Sequence, residues 1–132
     1  MPIKTLLVAN RFILGLAIFW TLSIAFLCLV QFNNLPNFGV SGMDKYIHFT
    51  FHFVFTLLWT SYFFTLQKEL LIKSVFKVFY VSVSYGILLE FLQSALTTTR
   101  KGDVMDVLAN TTGATVAVIL LVWYKQSNKN KN

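Results

Sequence analysis

Four long apolar stretches constrain this chain of 132 residues more than any other feature. They cover roughly residues 12–31, 46–66, 75–96 and 104–124. Each is long enough to cross a hydrocarbon core, which takes about 20 apolar residues per helix. Only 12% of the residues are charged, well below the roughly 25% of ordinary soluble domains. We therefore predict an all-α, four-helix transmembrane bundle that forms a single domain over residues 1–132.

The first stretch begins like a signal peptide, with Lys4 and Arg11 ahead of an apolar run. The run is long, however, and residues 30–32 lack the small side chains that a signal peptidase requires. We therefore predict an uncleaved first helix. The single cysteine, Cys28, lies inside this helix, so the chain has no disulfide framework.

The positive charges alternate between the loops as the positive-inside rule describes, which argues against nucleic-acid binding. Eight of the eleven Lys and Arg residues fall on one side of the predicted membrane: Lys4, Arg11, Lys68, Lys73, Lys77, Lys125, Lys129 and Lys131. The other three are Lys45, Arg100 and Lys101. We therefore expect both termini to face the cytoplasm, and residues 125–132 to form a basic tail attracted to anionic lipid.

Polar residues within the stretches share helix faces at spacings of three and four. Glu90 is the most costly of them, since an ionisable group in lipid must be satisfied by a partner. The faces are Asp44, His48 and His52 on helix 2; Ser82, Gly86, Glu90, Gln93 and Thr97 on helix 3; and Asp103, Asp106, Asn110, Gly113 and Ala117 on helix 4. The predicted topology puts the charged members of all three faces near the outer surface, where we expect a polar pocket.

The depth of this pocket below the membrane surface can be estimated from helix geometry. At about 1.5 Å rise per residue, Glu90 and Asn110 each lie on the order of 10 Å below the outer boundary. We expect the side chains of His48, Glu90, Asp106 and Asn110 to converge within about 10 Å, because a common site requires contiguous groups. Small residues at Gly86, Gly113 and Ala117 are expected to let the helix backbones approach closely.

The spacing of these polar residues carries a family resemblance. Asp44-Lys45-x-x-His48-Phe49, Glu90-x-x-Gln93 and Arg100-x5-Asp106-x3-Asn110-x2-Gly113 occur in this order across helices 2 to 4. Together they resemble the VanZ-like family of small bacterial membrane proteins. The resemblance implies a multi-pass protein of the bacterial plasma membrane. It also implies an association with the cell envelope and with resistance to the antibiotic teicoplanin, but no agreed biochemical activity.

Several of these residues have two interpretations. Glu90 is either functional or a structural carboxyl bonded to Gln93, Asn110 or Arg100. Arg100 is expected to pair with Asp106, or else to offer its guanidinium to a phosphate or carboxylate ligand. The structural interpretation is preferred for two further residues: Asp103 as the N-cap of helix 4, and His52 as a packing and hydrogen-bonding residue. Ser41 or Asp44 is expected to cap helix 2.

We expect no cofactor and no metal. Mixed His and carboxylate ligation by Asp44, His48, Glu90 and Asp106 would suit zinc, but the spacing matches no recognised zinc signature. Covalent catalysis is also disfavoured, because no Ser or Cys accompanies a His on an adjacent turn at the depth of the pocket. Ser94, beside Gln93, is the remaining candidate nucleophile.

The preferred function is therefore binding of a polar or anionic group in the outward-facing pocket. Candidate ligands are a lipid headgroup, a lipid-linked wall precursor and an amphiphilic glycopeptide antibiotic. One alternative is an enzyme that acts on a lipid-linked substrate through His48, Glu90 and Asp106. The other is a proton- or cation-coupled transporter formed by a homo-oligomer. That alternative is disfavoured because the inner helix halves carry few polar residues beyond Lys77 and Thr115.

Overall fold

The computed structural model describes residues 3–30, 42–66, 70–97 and 102–129. Within these ranges the chain forms four α-helices and no strand: α1 (Ile3–Leu29), α2 (Met43–Leu66), α3 (Leu71–Leu96) and α4 (Val104–Lys129). All four are long and apolar enough to cross a membrane. The predicted all-α, four-helix transmembrane bundle is therefore confirmed, while the side on which the termini lie stays a prediction.

The helices extend beyond the apolar runs from which they were predicted. α1 begins at Ile3 rather than near residue 12, and α4 continues to Lys129, into the segment interpreted as a basic tail. Residues 125–129 contain neither Gly nor Pro, so backbone hydrogen bonding continues past the apolar segment. A lysine in the last turn also suits the negative end of the helix dipole.

The caps of α2 and α4 differ in chemistry. α2 begins at Met43, directly after Gly42, whose φ of 76° is readily adopted only by glycine. Asp44 therefore lies in the first turn, so the prediction that it caps α2 is wrong; Ser41 lies outside the described residues. Asp103 precedes α4 and accepts a hydrogen bond from the Met105 backbone N–H at 2.8 Å. The predicted N-cap of α4 is thus confirmed.

α4 packs mainly on α2, and glycine sets how closely the two helices approach. A Cβ atom added to Gly113 would meet the backbone of α2, at the Phe49 carbonyl oxygen and the Phe53 nitrogen. One turn further along α4, Ala117 is fully buried. The third small residue, Gly86 on α3, lies against Asn110, whose Nδ2 would be 2.8 Å from an added Cβ. These small side chains bring the polar faces of three helices together.

Hydrogen bonds from aromatic side chains attach α1 to the other helices. The Trp20 Nε1–H donates to the Phe51 carbonyl at 3.0 Å, and the Tyr85 hydroxyl donates to the Thr21 carbonyl at 2.7 Å. The other side of α1 exposes large apolar residues such as Phe19 and Phe26, as expected for a surface in lipid.

We expect Gly113→Ala to lower the free energy of unfolding by about 1–3 kcal/mol, the usual cost of overpacking a close contact. Gly15→Ala is the matched control, because nothing lies within 4 Å of a Cβ at that exposed helical position. It should leave stability unchanged or raise it by up to about 1 kcal/mol, because Ala is a better helix former than Gly. Denaturant unfolding of both variants in detergent measures the difference, and equal stability of the two would contradict the packing role of Gly113.

Candidate functional site

Polar side chains gather at one end of the bundle, where α2 and α4 begin and α3 ends; we call it the polar end. His48, Glu90, Asp106 and Asn110, the buried cluster, come from these three helices and are between 2% and 8% exposed. Asp106 lies in the first turn of α4, whereas His48, Glu90 and Asn110 lie one turn or more inside their helices. The structure thus brings together the four side chains that the sequence places at a common depth.

The imidazole of His48 is the centre of the buried cluster. Its Nδ1 lies 3.1 Å from the Asn110 Oδ1 and 3.7 Å from the Glu90 Oε1, and its Nε2 lies 3.6 Å from the Asp106 Oδ2. The first distance is a hydrogen bond, whereas the other two are longer than the usual 2.7–3.2 Å. Both ring nitrogens therefore face oxygen atoms that are hydrogen-bond acceptors.

Above the buried cluster, Asp44, Lys45 and Asp103 form what we call the rim. The Lys45 Nζ lies 3.1 Å from the Asp44 Oδ2, 3.2 Å from the Asp103 Oδ2 and 3.4 Å from the Asp106 Oδ1. The side chains of Asp44 and Asp103 are 50% and 44% exposed. A single ammonium group is thus shared by three carboxylates, and Asp106 connects the rim to the buried cluster.

The start of α4 positions two of these carboxylates at once. The Asp103 backbone N–H donates to the Glu90 Oε2 at 3.1 Å, while its side chain caps α4. The Met105 backbone N–H, and then the Lys45 ammonium, hold the pKa of the Asp103 carboxyl below its ordinary value. Gly102 allows this close approach, because a Cβ there would lie 3.0 Å from the Glu90 carbonyl oxygen. The predicted cap therefore also belongs to the rim.

Two other predicted site residues lie elsewhere. Gln93 is buried, but its Nε2–H donates to the Cys28 carbonyl at 2.8 Å, which ties α3 to the end of α1. Glu90 forms no hydrogen bond with Gln93 or Asn110 in the described part of the chain; its partner is the Asp103 backbone. Arg100, and with it the expected Arg100–Asp106 pair, lies outside the described residues. Among the residues that the structure describes, Lys45 is the lysine that contacts Asp106.

A second polar layer lies one helical turn deeper, on the predicted polar faces, but the pairing within it was not predicted. The Nδ1 of His52 is 2.8 Å from the Ser82 hydroxyl, and both residues are almost fully buried. The expected structural role of His52 agrees with this contact, but the sequence had suggested no Ser–His pair. Further along α2, the buried hydroxyls of Thr56 and Thr60 have no hydrogen-bond partner among the described residues. From His48 to Thr60, a polar residue recurs at every fourth position of α2. This spacing was the sequence signal that could have indicated the deeper layer.

The composition of the site limits its chemistry. Four carboxylates accompany one lysine among its described residues: Asp44, Glu90, Asp103 and Asp106 against Lys45. One ligand atom from each of His48, Glu90 and Asp106 lies within 4.8 Å of the other two, as does one from each of Asp44, Asp103 and Asp106. The Lys45 ammonium contacts all three carboxylates of the second group and offsets part of their charge. The site therefore favours cations, amines and proton exchange over simple anions.

The chain was compared with known protein families, with curated proteins and with solved structures. The VanZ/LLP1 family model matches residues 6–125, nearly the whole chain and all four helices. No curated protein and no solved structure matches the chain significantly. The resemblance seen in the polar motifs of helices 2 to 4 is confirmed by this match, which also covers α1. The chain therefore belongs to the VanZ/LLP1 family.

Proposed function

We propose that this protein binds the polar headgroup of a membrane amphiphile at its polar end. The amphiphile is a phospholipid, a lipid-linked wall precursor or an antibiotic of the teicoplanin type. The observation that carries the proposal is the rim, where one lysine and two half-exposed carboxylates lie at the end of a membrane-spanning bundle. Lipid headgroups lie at this level of a bilayer, since the helices cross the hydrocarbon core.

The charges of the rim favour one kind of headgroup. Lys45 offers an ammonium to a phosphate, while Asp44 and Asp103 offer carboxylates to an amine. Because carboxylates outnumber the lysine, a headgroup that carries an amine beside a phosphate fits better than a purely anionic one. Such an amine would replace Lys45 as a partner of the carboxylates and free the lysine for the phosphate.

An apolar cavity on the side of the bundle provides space for a hydrocarbon chain. It has a volume of about 240 Å³ and lies between α1, α2 and α3. Its lining includes Phe55, Trp59, Val81 and Tyr85. The rings of Phe55 and Tyr85 also contact His52, in the layer below the buried cluster. Phe63 and Lys77 also line the cavity, so it extends toward the end of the bundle opposite the rim, where the far part of a long hydrocarbon chain would lie.

The orientation of the protein is part of the proposal. The positive-inside rule favours cytoplasmic termini in a bacterial plasma membrane, which directs the polar end toward the cell envelope. A wall precursor or a glycopeptide antibiotic would meet the protein on that side. In this arrangement the basic residues at the end of α4 face the anionic lipids of the inner leaflet.

One observation favours a second candidate function, an enzyme that acts on a lipid-linked substrate. The His48 imidazole lies between the carboxylates of Glu90 and Asp106, an arrangement suited to general acid–base catalysis. These groups are less than a tenth exposed, however, so a substrate would have to displace the rim. Turnover that disappears in Glu90→Gln while the fold and headgroup binding remain would distinguish the enzyme from a binding protein.

We expect Lys45→Gln to weaken headgroup binding at least tenfold, about 1.4 kcal/mol, because it removes the single ammonium of the described rim. Native mass spectrometry of the detergent-solubilised protein measures binding of phosphatidylethanolamine, phosphatidylglycerol, a polyprenyl-diphosphate lipid and teicoplanin. Lys73→Gln is the matched control, since Lys73 is an exposed lysine at the opposite end of α3. Equal affinities of the two variants for every amphiphile would contradict the proposal.

We expect a cysteine introduced at Ser127 to be protected from a membrane-impermeant maleimide in intact cells and labelled after permeabilisation. The background is Cys28→Ser, which removes the single native cysteine. A cysteine introduced at Asp44, on the rim, is the complementary probe and should be labelled in intact cells. Labelling of the Ser127 position from outside would reverse the proposed orientation.

A further inference from the structure

We propose that His48, Glu90 and Asp106 bind a divalent transition-metal ion. One ligand atom from each of the three residues lies within 4.8 Å of the other two. The residues come from α2, α3 and α4, and all three are buried. One imidazole and two carboxylates are a donor set that zinc and related ions accept. The ion would join three helices below the rim.

The hydrogen bonding of His48 points to a cation at its second nitrogen. The Asn110 Oδ1, 3.1 Å from Nδ1, only accepts hydrogen bonds, so Nδ1 carries the hydrogen. In the neutral imidazole, Nε2 then presents a lone pair to the Asp106 Oδ2 at 3.6 Å. The lone pair of the His48 Nε2 and the Asp106 oxygen thus face each other, and His48 is only 5% exposed. A metal ion between them would accept electron pairs from both.

The distances are close to those of a coordinated ion. Zinc bonds to nitrogen and oxygen are about 2.0–2.2 Å long, so two ligands of a tetrahedral zinc ion lie about 3.3–3.6 Å apart. The 3.6 Å between the His48 Nε2 and the Asp106 Oδ2 falls at the upper end of this range. The Glu90 Oε1 lies 3.7 Å from the His48 Nδ1, so the Glu90 side chain would have to turn toward Nε2 and Asp106 to complete the set of ligands.

Each proposed ligand is also held by a second partner through its other polar atom. The Nδ1–H of His48 donates to Asn110, the Oδ1 of Asp106 lies 3.4 Å from Lys45, and the Oε2 of Glu90 accepts the Asp103 backbone N–H. Nε2, Oδ2 and Oε1 are then available to an ion. Second partners of this kind orient the ligands of metal sites, and histidine ligands usually donate their other N–H to an oxygen.

The charge balance favours the same conclusion. Among the described residues, Lys45 is shared by three carboxylates, and Glu90 has no lysine or arginine partner. Two carboxylates buried in a membrane protein are costly unless they are neutralised. A divalent ion between Glu90 and Asp106 would neutralise both. This inference does not depend on headgroup binding, because the three ligands lie below the rim.

The test uses the full-length protein in detergent, carrying an affinity tag without histidine and treated with EDTA before desalting. Co²⁺ titration followed by visible absorption should show one binding site per chain, and Zn²⁺ retained after desalting should reach one equivalent by elemental mass spectrometry. Glu90→Gln and Asp106→Asn should each weaken Co²⁺ binding at least tenfold. Asp44→Asn and His52→Asn, which change a rim carboxylate and the deeper histidine, should bind Co²⁺ as the wild type does.

Two results would overturn the proposal. One is a folded wild-type protein that binds no Co²⁺, as expected if a proton on His48 fills the place between the carboxylates. The other is binding that Glu90→Gln and Asp106→Asn leave unchanged. If those variants fail to fold, the thermal unfolding midpoint of the wild type decides: Zn²⁺ should raise it and EDTA should reverse the increase. A thermal unfolding midpoint that Zn²⁺ leaves unchanged would also refute the metal site, whether or not lipid binds the rim.

Discussion

The structure depends on one constraint: an ionisable group among membrane-spanning helices needs a partner on another helix. Asp106 meets it twice, because one carboxylate oxygen faces Lys45 and the other faces His48. Both partners lie on α2, so the carboxylate holds α4 to α2 at the polar end. Glu90 meets the constraint through the Asp103 backbone, which joins α3 to the start of α4. The polar residues thus fix which helices are neighbours and in what register.

Close packing and polar contacts support each other in this bundle. Gly113 lets α4 approach the backbone of α2 at Phe49, next to His48 in the chain. Asn110, one turn earlier on α4, thereby comes within hydrogen-bond distance of the His48 imidazole. On α3, Gly86 leaves room for the same asparagine. A bulky residue at either glycine would separate the helices and leave buried polar atoms without partners, which is costly in lipid.

The two proposals concern two neighbouring parts of the polar end: headgroup binding is proposed for the rim, and metal binding for the buried cluster. The rim is half-exposed and combines a cation with carboxylates, which suits a headgroup that arrives from the bilayer surface. The buried cluster is enclosed and rich in acceptors, which suits a small cation. Asp106 belongs to both levels. A change of charge in the buried cluster would therefore alter how strongly Asp106 holds Lys45, and with it the charge that the rim offers to a ligand.

Sequence alone determined the four spans, the polar faces and the N-cap at Asp103, because apolar length and helical periodicity are local properties of the chain. It also indicated that His48, Glu90, Asp106 and Asn110 belong together. Only the tertiary structure decided the partners: Lys45 for Asp106, the Asp103 backbone for Glu90, Cys28 for Gln93 and Ser82 for His52. Partner choice depends on the rotation and spacing of neighbouring helices, which small residues such as Gly86 and Gly113 set through contacts distant in sequence.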